Sequence, residues 1–384
     1  MKTFEHMPYA HISLSDMLSV GSSNSKGMLF SAGWLHREIA TRIAHQKRIL
    51  QKFEEEMRQA GATKEVPEAV RLTRLLNTIF MDIRRFSKPR TKHEQQAFSE
   101  FLDNVLERTM DVNQAVTQGV AAFRLQLLKK GKYSKDLELG LQHFLDSFFL
   151  NRIGMNTLIQ HHSIFYQQFD THVSAKSEHV GMIDKSCRVK DIIESAVASA
   201  TLLCETHYGD SPSVKIVGDA DARACAVPAH VHFVVFEVLK NAMRACALKM
   251  KELEEVEAEG GEDYDGQVKV QIVSGDEDIC IVMQDNGPGF SRGKLMDVWS
   301  YLSTTAGYAQ VEEQENAIGQ PLSIQSMAGY GVGLPLSRLY ARIFGGELVL
   351  IPVEGAGVTA YYYIPKDGHK KELDEQGGDP PKFW

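Results

Sequence analysis

One ordered set of short motifs restricts this chain more than any other feature. It begins with Phe236-Glu237-Val238-Leu239-Lys240-Asn241-Ala242-Met243-Arg244. On a helix, Glu237 and Asn241 lie one turn apart on the same face, with Lys240 and Arg244 beside them. A carboxylate, an amide oxygen and two cations suit a magnesium–phosphate site, since a hard cation takes oxygen ligands and keeps much of its water. Alone, the pattern describes a solvated helix face better than a site. Three glycine motifs downstream change that weighing.

The alternating run Cys280-Ile281-Val282-Met283 reads as a buried strand, and Asp285-Asn286-Gly287-Pro288-Gly289-Phe290 follows it as a tight turn. An Asp at a strand end can accept a hydrogen bond from an exocyclic amine such as that of adenine. Gly287 and Gly289 let the backbone approach a flat ligand with no Cβ in the way. Gly329-Tyr330-Gly331-Val332-Gly333-Leu334 then opens an apolar helical segment through Phe344, and its bare amides and positive helix end would cradle phosphates. Gly355-Ala356-Gly357-Val358-Thr359 lies between two expected strands. A dinucleotide-type reading fails on spacing: Leu334 stands where the third glycine of GxGxxG belongs, and no strand immediately precedes Gly329. Taken in order, the four pieces resemble the ATP-binding domain shared by gyrases, histidine kinases, mismatch-repair proteins and certain chaperones.

A chain of 384 residues most often makes two domains, each able to bury a core. Its formal net charge of -8 argues against nonspecific nucleic-acid binding. The five cysteines, Cys187, Cys204, Cys225, Cys246 and Cys280, lack CxxC spacing and read as buried thiols in a reducing compartment. No apolar run approaches membrane-spanning length. The first arginine is Arg37, so the N-terminal stretch is not a typical Arg-rich presequence.

Residues 1–30 read as mixed, with a turn at Gly21-Ser22-Ser23-Asn24. Four amphipathic helices are expected next: from Ala32 to about Gly61, from Pro67 with Leu72, Leu75, Leu76, Ile79, Phe80 and Ile83 as its stripe, from His93 to Leu128, and from Lys135 to Phe169. Short turns between them predict an antiparallel bundle. His161 and His162 are consecutive, share no helix face and read as core or surface residues rather than metal ligands. The His93-Glu94 pair is rejected as a phosphoacceptor box, because Gln95-Gln96-Ala97 follows it.

A polar link is expected over Thr171–Asp184. After it come a helix over Val189–His207, strands near Val214–Val217 and Ala224–Val227, the Glu237 helix, strands at Val268–Val273 and Asp278–Gln284, and closing strands at Glu347–Ile351 and Thr359–Ile364. Lys251 to Asp265 reads as an acidic solvated loop. Ser303 to Ala328 has poor periodicity and the length of an active-site lid. The expected architecture is α+β: a helical bundle at 1–175 with a regulatory, lipoyl-docking role, an α/β-sandwich ATP-binding domain of Bergerat type at 180–365, and a tail at 366–384.

A closer resemblance covers nearly the whole chain. Leu35-His36-Arg37-Glu38-Ile39-Ala40-Thr41-Arg42, Gln118-Gly119-Val120, Phe144-Leu145-Asp146, Asn151-Arg152-Ile153, Lys240-Asn241-Ala242-Met243-Arg244-Ala245 and Gly333-Leu334-Pro335-Leu336-Ser337-Arg338-Leu339-Tyr340-Ala341 resemble phrases of the mitochondrial kinases of 2-oxoacid dehydrogenase complexes. The resemblance implies a serine kinase that uses ATP and Mg2+ to phosphorylate and switch off the E1α subunit of pyruvate or branched-chain 2-oxoacid dehydrogenase, the former slightly favoured. It implies Glu237 as general base with Lys240 beside it, and Asn241 as magnesium ligand. It implies Arg244 and Ala245 at the nucleotide, Asp285, Gly287 and Gly289 at adenine, and Ser303, Thr304 and Thr305 at the nucleotide edge. Gly329, Tyr330, Gly331, Val332, Gly333 and Leu334 would lie at the phosphates, with Thr359 close by. It further implies a homodimer, docking to the lipoyl domain of the E2 core, a tail residue Trp384 crossing to the partner, and the mitochondrial matrix. Phosphoryl transfer fits such a set, since it needs positioning and charge neutralisation more than covalent chemistry.

Four positions depart from the family pattern. Phe233 stands where many pyruvate dehydrogenase kinases carry a His four residues before the base, and Val358 where a Thr is usual. Thr109 replaces a His and Asn156 an Arg in the pocket for small 2-oxoacid-like inhibitors, which predicts weaker carboxylate capture. Two competing readings stand beside the kinase: a histidine kinase, for which a phosphoacceptor box is missing, and an ATP-gated scaffold of the same superfamily.

Overall fold

The computed structural model describes residues 1–21, 25–59, 67–170, 178–257, 264–301 and 331–373. The chain divides into two compact units, Met1–Ile183 together with the segment beginning at Lys371, and Asp184–Lys370.

The first unit is helical: α1 (Leu14–Gly21), α2 (Ser25–Gln59), α3 (Pro67–Arg85), α4 (Lys92–Arg108), α5 (Val112–Lys129) and α6 (Lys135–Asp170), followed by the short strand β1 (His179–Val180). The apolar stripes dictate the packing. Leu35, Ile39, Ile43, Leu50 and Phe53 on α2, and Leu72, Leu76, Ile79 and Ile83 on α3, recur at three- and four-residue intervals and are all buried. Phe53 stacks on Phe144 of α6 at 3.9 Å between ring centroids and meets Phe123 of α5 edge-on at 6.1 Å.

Two expectations for this unit are corrected. Residues 14–21 are helical rather than mixed, and α2 begins at Ser25, ahead of Ala32. The helix expected from His93 to Leu128 is two helices. The break falls at Thr109, where α4 ends and the Thr109 N–H closes a tight turn on the Leu106 carbonyl at 3.2 Å. At the start of α4, Glu94 has a structural role. The Thr91 hydroxyl accepts from its N–H at 3.2 Å while its carboxylate accepts from the Thr91 N–H at 3.1 Å, a capping box.

The second unit contains β2 (Ile183–Arg188), α7 (Val189–Tyr208), β3 (Ser213–Gly218), β4 (Arg223–Ala226), α8 (Pro228–Glu257), β5 (Gln267–Ser274), β6 (Asp278–Asp285), a short α9 (Leu295–Val298), α10 (Gly333–Arg342), β7 (Glu347–Val353) and β8 (Gly357–Pro365). Its main sheet has the order β3-β5-β6-β8-β7, parallel between β3 and β5 and antiparallel elsewhere. Strand alternation gives this sheet two faces. Val270, Ile272, Ile281, Met283, Leu350, Ala360 and Tyr362 point into one core with Ile193, Val235, Leu239 and Met243 of α7 and α8. The other face leaves Val273, Ile351, Val353 and Tyr363 exposed. β2 pairs antiparallel with β4, so a strand occupies the end of the stretch expected to be an irregular link. The acidic loop expected from Lys251 is also corrected, because α8 continues through Glu257. The expected lid and Trp384 lie outside the described residues.

Candidate active site

α8 carries the cluster that the motif predicted. It begins at Pro228, a residue preset for the first helical turn, and its apolar face (Val231, Val234, Val235, Val238, Leu239, Met243) is buried against the sheet. That burial turns Glu237, Lys240, Asn241 and Arg244 toward the side left partly open. Lys240 Nζ lies 2.7 Å from Glu237 Oε1, with side chains 10% and 12% exposed. The Asn241 side-chain N–H donates to the Glu237 carbonyl at 2.8 Å, which leaves its amide oxygen to face away from the helix backbone.

The N-terminus of α10 meets this cluster. Gly331 has φ 73, a left-handed conformation, and Val332 precedes the helix without a side-chain cap. The first turn carries no acidic residue, and its third position is Pro335, which has no N–H to satisfy. A Cβ on Gly333 would overlap Glu237 Oε2. The uncapped helix end and the carboxylate therefore share one spot. Leu334 is half-buried against the core.

The turn after β6 is the second wall. Asp285 is buried, and its Oδ1 accepts from Gly287 N–H at 2.9 Å and Val358 N–H at 3.3 Å. Burial raises its carboxyl above the ordinary range, against the lowering by these two bonds. Gly287 packs against Ala245 of α8: an added Cβ would lie 3.1 Å from the Ala245 Cβ and 2.9 Å from Asp285 Oδ1. Gly289 (φ 59) and Gly357 (φ 109) both need left-handed backbone, and a Cβ on either would run into the other motif's carbonyls. The two glycine motifs are packed backbone to backbone, which no side chain would permit.

The structure thus brings together Glu237, Lys240, Asn241 and Gly333, and separately Ala245, Asp285 and Gly287. Thr359 lies apart from Asp285. It is opposite Gln284 in the ladder, on the sheet face away from Ala360 and Met283, and the contact to Asp285 comes from the Val358 backbone. Ser303, Thr304, Thr305, Gly329 and Tyr330 lie outside the described residues. Phe233, one turn before Glu237, packs on Tyr340 at 4.7 Å, and His232 stacks on Phe236 at 6.1 Å. Three contributors escaped the motif reading: the Val358 N–H, Asn286, whose side chain anchors the turn, and His230, buried against Tyr340 at 4.8 Å. A backbone donor leaves no residue-type signal, but Asn directly after a strand-end Asp could have been noticed.

Residues 11–184 match the family described as mitochondrial branched-chain alpha-ketoacid dehydrogenase kinase, and residues 226–368 the family described as histidine kinase-, DNA gyrase B-, and HSP90-like ATPase. The mitochondrial pyruvate dehydrogenase (acetyl-transferring) kinase of Arabidopsis thaliana is 30% identical over 369 residues, 95% of this chain and 93% of the relative. A probable mitochondrial pyruvate dehydrogenase kinase of Caenorhabditis elegans is 35% identical over 292 residues, 74% of this chain and 67% of the relative. The human isozyme 4 is 28% identical over 362 residues, 92% and 80% of the two chains. With this similarity running through both compact units, the chain belongs to the mitochondrial 2-oxoacid dehydrogenase kinase family, protein kinases that carry a histidine-kinase-type ATPase domain.

Proposed function

We propose that this chain is an ATP-dependent protein serine kinase that phosphorylates and inactivates the E1α subunit of a mitochondrial 2-oxoacid dehydrogenase, the pyruvate enzyme in preference to the branched-chain one. The observation that carries the reading is the meeting of Glu237 with the uncapped start of α10 at Gly333. A proton acceptor and a phosphate-binding helix end are what transfer to a hydroxyl needs at one spot. The names of the similar proteins favour the pyruvate complex.

In this reading, Asp285 accepts from the adenine amine; the Gly287 and Val358 N–H groups both bond Oδ1, which leaves Oδ2 for the base. The Gly331–Leu334 amides hold phosphate oxygens, joined by Gly329 and Tyr330, with Arg244 as a further cation. Asn241 offers an amide oxygen to Mg2+, which would neutralise phosphate charge when bound. The substrate serine gives its proton to Glu237, its oxygen bonds to the γ-phosphorus, and the bond to the β–γ bridging oxygen breaks as ADP departs. Lys240, 2.7 Å from Oε1, orients the Glu237 carboxylate. Ser303, Thr304 and Thr305 would complete the nucleotide edge.

The helical unit is assigned to lipoyl-domain docking and regulation as a four-arm bundle, with α4 and α5 together making one broken arm, and residues 180–365 to a Bergerat-type domain. The exposed apolar residues Ile351, Val353 and Tyr363 on the outer sheet face support a homodimer through that face. The matrix is the compartment in which these partners would be met.

The test is transfer of radiolabelled phosphate from ATP to purified pyruvate-type and branched-chain-type E1, each with its lipoyl-bearing core. Labelling of one E1α serine is expected, greater with the pyruvate enzyme and lost with Glu237→Gln while ATP binding survives. ATP binding with neither E1 labelled would overturn the kinase reading in favour of a scaffold.

A further inference from the structure

Behind the Asp285 turn lies a polar cluster that the proposed chemistry leaves unused. The last regular pair of the β5–β6 ladder is Val268 with Asp285. Asn286 extends the ladder beyond it with its side chain as well as its backbone. Its N–H donates to the Gln267 carbonyl at 3.2 Å, its Oδ1 accepts from the Gln267 N–H at 2.8 Å, and its Nδ2 donates to the Asp265 carbonyl at 3.0 Å. The Tyr264 hydroxyl lies 3.0 Å from both Oδ1 and the backbone oxygen of Asn286. Lys249 of α8 donates to that backbone oxygen at 3.3 Å and sits 4.3 Å from the centre of the Tyr264 ring. The Cys246 thiol of α8 reaches Oδ1 at 3.5 Å.

These bonds have a common result. Asn286 is the residue between Asp285 and Gly287, and it is tied on one side to the start of β5 and on the other to the helix that bears Glu237 and Asn241. Gly266 allows the approach, because a Cβ there would press on Met250 Sδ at 2.6 Å and Cys246 Cβ at 3.3 Å.

We propose that Asn286 is a positioning residue for nucleotide recognition: with Tyr264 and Lys249 it staples the Asp285–Gly287 turn to α8, and so sets how well the site distinguishes adenine from bases lacking its exocyclic amine. This rests on the nucleotide reading of Asp285 given above. A loosened turn leaves the base at Glu237 and the amides at Gly333 in place, so the effect falls on nucleotide affinity and base choice, not on transfer from bound ATP.

The experiment compares ATP with inosine triphosphate, which lacks the exocyclic amine, as phosphate donor and as ligand for the full chain. Asn286→Ala is expected to raise the KM for ATP about tenfold, the loss of one to two net hydrogen bonds, with kcat at saturation held within about twofold. The ATP preference over inosine triphosphate should fall with it. Tyr264→Phe, which removes one hydroxyl and keeps the ring, should move both readouts the same way by less, and the double variant should fall short of the sum of the two single effects, since the Tyr264 hydroxyl bonds both the side chain and the backbone of Asn286. An unchanged base preference in both single variants, or a uniform fall in kcat for the two nucleotides, overturns the proposal. Tyr264→Phe decides the matter even where Asn286→Ala fails to fold. A parent chain that binds ATP and inosine triphosphate equally would instead overturn the adenine reading of Asp285 itself.

Discussion

Gly333 opens helix α10 directly against the carboxylate of Glu237, closely enough that a single added carbon would overlap Oε2. Neither residue is notable alone: a glycine begins many helices, and a Glu beside a Lys is a common helix pair. The proposed site rests on their apposition, because the carboxylate is held at the end of a helix whose N-cap, Val332, makes no side-chain cap bond among the described residues.

Gly333→Ala follows from that contact. Gly333 is at a helical position without positive φ, so the backbone accepts alanine, and the strain falls on the Glu237 side chain. Displacing a catalytic group by about an ångström is expected to lower kcat on the order of tenfold to a hundredfold with little change in melting temperature. Phosphate transfer and thermal melts on one preparation would check it. Wild-type turnover in Gly333→Ala would separate Glu237 from the chemistry.

Much of this was open to a reader of the sequence, and the exceptions have physical reasons. The stripes of α3 and α7, and the glycines at 289 and 357, announce themselves because periodicity and left-handed backbone are local demands. The break at Thr109 does not, since a tight backbone turn there leaves the apolar period intact. Tyr264 was hidden at the end of an acidic run, with its partner Asn286 reached only through the β5–β6 ladder. Long-range polar pairs such as these leave no spacing to read.

The buried histidines give a pH dependence of stability with a definite sign. Burial lowers His161, His162 and His230 each to about 4 from an ordinary 6.5, with His162 adding to the effect at His161. His162 is held neutral between the hydroxyls of Ser31 at 3.3 Å and Ser99 at 3.1 Å. The unfolded chain takes up protons that the fold refuses, so this stability is complete above pH 6.5 and lost as pH falls toward 4, roughly 3 kcal/mol per histidine at the limit. Raised carboxyls at Glu38 and Asp285 act in the opposite sense. The informative measurement is therefore the difference between wild type and His162→Gln in denaturant midpoint at pH 7.5 and 5. A shallower dependence is expected for the variant; parallel curves would contradict it.

Weak inhibition by dichloroacetate and pyruvate is expected. By the family pattern that this chain resembles, relatives are expected to carry a His and a second Arg where it has Thr109 and Asn156. Thr109 is buried with its hydroxyl engaged by Val105, and Arg152 donates to the Thr109 carbonyl. A small carboxylate finds less positive charge there than in those relatives. Dose–response curves against phosphate transfer would test this, with Thr109→His/Asn156→Arg as the gain-of-response variant. Inhibition at a potency ordinary for the family would end the idea.

Arg42 and Glu372 make a long-range ion pair in the helical unit. The Arg42 guanidinium is fully buried and places Nη1 and Nη2 each 2.6 Å from the two oxygens of Glu372, while Nε donates to Glu38 at 3.0 Å and the Tyr9 ring lies 4.6 Å from its centre. A Cβ on Gly154 would strike this pair, so α6 leaves room for it. Two carboxylates share one cation, and they are not equivalent. Burial raises the Glu38 carboxyl against the lowering by Arg42, so its charge is one that the fold disfavours. Breaking a buried ion pair from one side costs about 3–5 kcal/mol, because the other charge stays buried. Glu372→Gln is accordingly expected to lower the denaturant midpoint much more than Glu38→Gln, which removes a charge the fold already disfavours. Equilibrium denaturation of the three proteins would check the order, and equal midpoints for Glu372→Gln and wild type would show that the C-terminal segment contributes nothing to holding Arg42.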